Sequence, residues 1–244
     1  MNGGVKIREG AEGRPMTEAE WLACESPDLL LRHLKAIGAT RHRRGHRRRR
    51  LRLLGCAAFG QAEHLLASDR GRRAIDLAEQ FADGRADETD LLRLGRELRG
   101  QEGAASALTA RDTAEHVVQV LLLPNDLIVA ELSLEQAVWP LHREAEPAKP
   151  NLFRKAVRRA QAPLVRDIFG NPFRPIVVDP AWRTSTATSL ARQIYESRDF
   201  TLLPILADAL QDAGCEHDDI LNHCRGPGPH VRGCWVVDAV LNKV

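Results

Sequence analysis

Aromatic residues make up only 5% of this 244-residue chain, with a single tyrosine among them. That shortage excludes a core built on ring stacking and leaves Leu, Ala, Val and Ile to fill the interior. A Leu/Ala-rich, aromatic-poor composition favours helices over sheets. Lysine is also scarce, at five of the 35 basic residues, so nearly all the positive charge is guanidinium. No stretch approaches the ~18 uninterrupted apolar residues of a membrane helix, and no membrane partner is expected. Residues 1–15 are polar and Gly-rich without an apolar h-region, so no secretory leader is expected. Five cysteines, an odd number without a leader, suit reduced thiols and a cytoplasmic location. Catalytic signatures are missing as well: no G-x-S-x-G, no H-E-x-x-H, no kinase set, no Walker loop.

What is present is charged and periodic. The segment from Arg41 to Arg52 holds eight arginines and no acid; without them the net charge falls from +2 to −6. This is a local basic run on a mildly acidic chain. Arg43, Arg44, Arg47 and Arg48 are its candidate contacts to an anion or nucleic acid, because several phosphates could be neutralised there. The run contains no aromatic side chain to stack on bases, which argues against single-strand recognition. A solvated helix start is the plainer account.

Helix signals recur along the chain. Thr17 with Glu20 forms a capping box. Ser26-Pro27 opens a helix whose apolar face is Leu30, Leu31, Leu34 and Ile37. Further helices are expected over 51–66, 69–81, 91–98, part of 104–123, 132–139 (capped by Ser133 and ended at Pro140), 152–161, 188–196, 204–213, 218–223 and 235–241. Ile176-Val177-Val178 suggests one short strand. Phe169, Phe173 and Trp182 are expected to form a hydrophobic plug. The predicted fold class is all-α, with at most one or two short strands near 175–179. Residues 1–15 are expected to be a disordered tail, 16–143 a helical N-terminal part, 144–151 a linker, and 152–244 a helical C-terminal part. One continuous domain over 16–244 is the alternative.

The densest chemistry lies in residues 203–238, which hold three cysteines, three histidines and a Gly/Pro turn. Cys and His are zinc-ligand types, and a structural site takes four of them in a tetrahedron. His223, Cys224, His230 and Cys234 are the candidate metal ligands, with zinc as the candidate cofactor and Cys215 as a substitute ligand. The spacing is irregular, with no C-x-x-C knuckle. Buried cysteines are more often small hydrophobes than ligands. The same loop suggests an anion site, since Arg225 and Arg232 flank Gly226–His230 before a helix start.

Four runs share a resemblance: Arg166-Asp-Ile-Phe-Gly-Asn-Pro-Phe-Arg-Pro175, Leu203-Pro-Ile-Leu-Ala-Asp-Ala-Leu210, His223-Cys-Arg-Gly226 and His230-Val-Arg-Gly-Cys-Trp-Val-Val-Asp238. With the opening Met16–Cys24, they resemble a family of uncharacterised bacterial proteins. The resemblance implies one unit beginning near Met16; it implies no activity, cofactor or catalytic residue. In those relatives the helix around Cys56 looks richer in cysteine, which argues against a metal scheme using that helix here. The reading of the whole chain is a non-enzymatic helical interaction or scaffold protein with an unknown protein partner. The alternatives are an anion- or nucleic-acid-binding protein using 41–52, and a small enzyme or zinc-site protein centred on 215–234.

Overall fold

The computed structural model describes residues 15–40, 46–61, 64, 69–99, 114, 118–145 and 148–243, all in helices, turns and extended links with no strand among them. The first helices are α1 (Glu18–Ala23), α2 (Pro27–Ala36), α3 (His46–Gly60), α4 (Asp69–Ala82) and α5 (Glu88–Arg99). A 3-10 turn, Val118–Leu122, leads to α6 (Asp126–Gln136), α7 (Val138–Ala145) and the long α8 (Pro150–Phe169). The C-terminal part holds α9 (Ser185–Ser197), α10 (Leu203–Asp212), α11 (Asp218–Arg225) and α12 (Trp235–Val240). No helix among the described residues is long and apolar enough to cross a membrane.

Local signals account for most of these starts. Thr17 accepts from the Glu20 N–H while Glu20 accepts from the Thr17 N–H, so two of the orphan donors at the α1 start are satisfied. Ser26 caps α2, with Pro27 in its first turn. Asn125 and Thr184 cap α6 and α9.

Five expectations change. Ile37 is the C-cap of α2 and 48% exposed, so the buried face ends at Leu34. Ser133 is no cap; it lies buried inside α6, which already begins at Asp126. Pro140 does not stop a helix but sits in the first turn of α7, where its missing N–H would have had no partner. Pro163 likewise stays inside α8: the carbonyl it deprives belongs to exposed Arg159, within reach of water. The segment 176–178 forms no strand, and no described segment pairs with it. The expected helical stretch 104–117 and the tail 1–14 lie outside the described residues, save for a helical Ala114.

Buried apolar side chains form two clusters. The first runs from Trp21 to Phe169 and contains Leu30, Leu54, Phe59, Leu91, Leu121, Leu134 and Ile168. The second, from Val178 to Val240, contains Ile194, Leu206, Leu210, Ile220 and Val237. The plug predicted from Phe169, Phe173 and Trp182 is split between them. Phe169 packs in the first cluster, Trp182 against the second, and Phe173 stacks on His33 with ring centroids 5.2 Å apart.

In the first cluster, α3 and α6 cross closely at Gly55. A Cβ there would lie 2.9 Å from Val129 Cγ1 and 3.0 Å from Ser133 Oγ, so the absence of a side chain is what permits this approach.

The arginine run points partly inward. Arg52 is fully buried on α3, donating to Asp126 at 2.7 Å and to the Leu121 carbonyl, with its guanidinium over the Phe81 ring. Arg49, one turn earlier, donates to Asp83 at 3.1 Å, to Tyr195 at 2.7 Å, and through two nitrogens to Asp238, which is fully buried on α12.

Candidate metal centre

Where α8 ends, Asp167 faces the loop between α11 and α12. Gly170 caps α8 with φ +69°, a left-handed conformation that favours glycine, and the Trp235 indole packs beside it. Trp235 in turn lies against His223, with ring centroids 5.1 Å apart. His223 sits in the last turn of α11, and His230 follows the Gly/Pro turn. Cys234 is the N-cap of α12.

The donor atoms converge. His230 Nδ1 is 2.9 Å from Asp167 Oδ1, His223 Nε2 is 3.2 Å from the same oxygen, and His223 Nε2 is 3.1 Å from Cys234 Sγ. One donor atom each from Asp167, His223, His230 and Cys234 falls within 4.8 Å of every other. Metal bonds of about 2.0–2.1 Å to N and O and about 2.3 Å to S give a tetrahedron with edges of about 3.3–3.6 Å. The three short spacings lie a few tenths of an ångström below those edges, and the other pairs fall within 4.8 Å.

The outer contacts point the same way. Asp167 Oδ2 accepts from the Val231 N–H at 2.9 Å, which leaves Oδ1 turned to the centre. His230 Nε2 faces the Gly226 carbonyl at 3.4 Å, which leaves Nδ1 as the inward nitrogen. Such second partners orient metal-binding side chains.

Charge follows geometry. Burial works to raise the Asp167 carboxyl, but hydrogen bonds from His223 and His230 outweigh it and hold the pKa below the usual range. Burial acts to lower His230, and the Asp167 carboxylate more than reverses that. Burial and Asp167 push the Cys234 thiol well up, against the N–H groups of Val237 and Val236. Without a metal, therefore, Cys234 is a protonated thiol beside an anion.

A nucleophilic cysteine triad would use the two ring nitrogens of one histidine on opposite partners. Here the same nitrogen, His223 Nε2, faces both Cys234 and Asp167. A fully buried thiol with a raised pKa is also a poor nucleophile. Four potential ligand atoms converging on one point form an arrangement that an ion can occupy once their protons leave.

Three of the four ligands expected from sequence, His223, His230 and Cys234, are thus brought together. Cys224 is not among them: it packs in the second apolar cluster, with its pKa raised by burial to about 12. Adjacent residues of a helix point about 100° apart, so His223 and Cys224 cannot face one centre. Cys215 packs in the same cluster. The fourth member, Asp167, was missed. It lies 63 residues before His230, and only its place in the Arg166–Pro175 motif marks it in the sequence.

The candidate anion contacts resolve differently. Arg225 donates to Asp208 at 2.7 Å and to Gln211 at 2.8 Å. Arg232 donates to Glu79 at 2.8 Å and to Asp83 at 2.7 Å, and is largely buried. Arg232 thus serves buried carboxylates, whereas the Arg225–Asp208 pair lies on the surface. Arg43 and Arg44 lie outside the described residues, as do the side chains of Arg47 and Arg48.

No family model, curated protein or solved structure matches this chain.

Proposed function

We propose that this protein is a non-enzymatic helical scaffold that binds one divalent ion of the zinc class through Asp167, His223, His230 and Cys234. The observation that carries the reading is the convergence of these four donor atoms within 4.8 Å, with backbone partners on the outward atoms of Asp167 and His230. One sulfur, two imidazole nitrogens and one carboxylate oxygen suit Zn²⁺ over the oxygen-seeking Mg²⁺ and Ca²⁺. Four protein ligands make a closed site, as structural zinc requires, whereas catalytic zinc keeps one position open.

The test is metal content of the purified protein with its melting temperature before and after chelation. One equivalent of zinc is expected. An ion at 100–1,000 times its Kd adds about 3–4 kcal/mol, or roughly 10 °C for a chain of this size. Substituting Co²⁺ should give the visible bands of tetrahedral coordination and a sulfur charge-transfer band absent from Cys234→Ser. Protein that stays metal-free, and whose melting is unmoved by added Zn²⁺ or Co²⁺, overturns the proposal.

A further inference from the structure

The two apolar clusters meet along a seam unlike the interior of either. Among the described residues its apolar contacts include Leu53 against Gly233, Trp235 against Gly170, and Val231 against the first cluster. A network of buried and partly buried ion pairs crosses it as well. Arg49 of α3 pairs with Asp238 of α12, and Arg232 reaches Glu79 of α4 and Asp83 just after it. Arg198 also pairs with Glu79, the Tyr195 hydroxyl donates to Asp83 at 2.5 Å, and Lys243 lies 3.6 Å from the same carboxylate.

Charged groups regain hydration when such a seam opens, so opening costs less than exposing an equal apolar area. Each cluster keeps its own core, since the division falls between Phe169 and Ile176. Polar junctions between separately cored parts of a chain are those along which parts move as units. One link in this seam differs in kind. Asp167 belongs to α8 and the N-terminal bundle, whereas His223, His230 and Cys234 belong to the C-terminal part.

We infer that the bound ion is a latch: it fastens the C-terminal part, residues 176–241, to the N-terminal bundle and sets how often the seam opens. The inference rests on the metal reading above. The open form keeps three of the four donors, so only the extra affinity contributed by Asp167 shifts the balance, and the effect saturates with metal. Loss of an outer partner alone commonly costs 10–100-fold in metal affinity. A direct ligand sets at least that scale.

Cys56 offers a reporter in the unaltered chain. It is a buried α3 residue of the first cluster, in the field of Glu79, Arg52, Arg198 and Arg232, and hence beside the seam. Cys24 is buried in the same cluster, beside Ser26 and Arg166, and so reports opening of the bundle itself. The experiment measures initial rates of iodoacetamide labelling at each thiol by peptide mapping, on full-length protein with Zn²⁺ or after chelation, with zinc stoichiometry taken from the same samples. Zn²⁺ is expected to slow Cys56 labelling by about 10–100-fold, to leave Cys24 unchanged, and to lose the effect in Asp167→Asn. Stoichiometric zinc with Cys56 unaffected, with both thiols slowed equally, or with slowing retained in Asp167→Asn overturns the latch and leaves the metal site standing. Absence of bound zinc overturns both.

Discussion

Replacing Arg49 by Met tests the seam most directly. The guanidinium donates to Asp83 and Tyr195 and twice to Asp238, whose carboxylate has no solvent exposure. Met keeps much of the stem's volume and removes the charge. Asp238 is then left as an anion without its partner, and breaking a buried pair from one side costs about 3–5 kcal/mol. At roughly 2–4 °C per kcal/mol for a chain of this size, melting should fall by about 6–20 °C. The loss should also depend on pH. Burial already pushes the Asp238 carboxyl above its ordinary range, with Arg49 opposing, so removing Arg49 lets it rise further. A group whose folded pKa is raised contributes stability that is present below its unfolded pKa and lost as pH rises through the folded one. The variant should therefore lie closest to the parent in mild acid and fall away toward neutral pH. The double variant Arg49→Met/Asp238→Leu removes both charges and should recover most of the loss, since apolar replacements of buried pairs are often neutral or stabilising. Equilibrium denaturation of the four proteins of this cycle gives the coupling. A single-variant loss under about 1 kcal/mol, or a double variant as unstable as the single, would refute the claim that Asp238 depends on Arg49.

Other positions give separate expectations. Gly55→Val should destabilise by about 1–3 kcal/mol through overlap with Val129 and Ser133, while Gly60→Ala, with nothing within 4 Å of the new methyl, should be neutral or stabilise by up to about 1 kcal/mol; equal effects in thermal melts would contradict the packing at α3–α6. Burial works to raise Asp83, but the Tyr195 hydrogen bond and the cations Arg49 and Arg232 bring it down to about 2 from an ordinary 3.8. Its folded pKa being depressed, the stability it confers is present above about pH 4 and lost as pH falls toward 2; that loss is about 2 kcal/mol, and a denaturation series in acid should show it weakened in Asp83→Asn. Thr17→Ala should cost about 1 kcal/mol by leaving α1 uncapped, detectable as a small shift in denaturation midpoint.

Much of the helical architecture is written locally. The Thr17/Glu20 box, Ser26-Pro27 and the apolar stripe Leu30–Leu31–Leu34 each act within one or two turns, and the structure keeps all three. The failures have local causes too. Ser133 reads as a cap only if the helix start at Asn125 is overlooked, and Pro140 reads as a stop only if a new helix at Val138 is. Even the misplaced ligand was legible in part: on a helix, His223 and its neighbour Cys224 exclude each other from one centre.

The chain's composition and periodicity settle an all-α fold and mark His223, His230 and Cys234 as worth pairing. They could not supply Asp167, nor turn Arg49 and Arg232 from surface cations into buried cross-links. Periodicity and capping depend on residues three or four apart. Asp167 meets His230 across 63 residues, and Arg49 meets Asp238 across 189. Pairings of that span leave no local trace, because they exist only once two apolar clusters have formed and their charged faces have found each other.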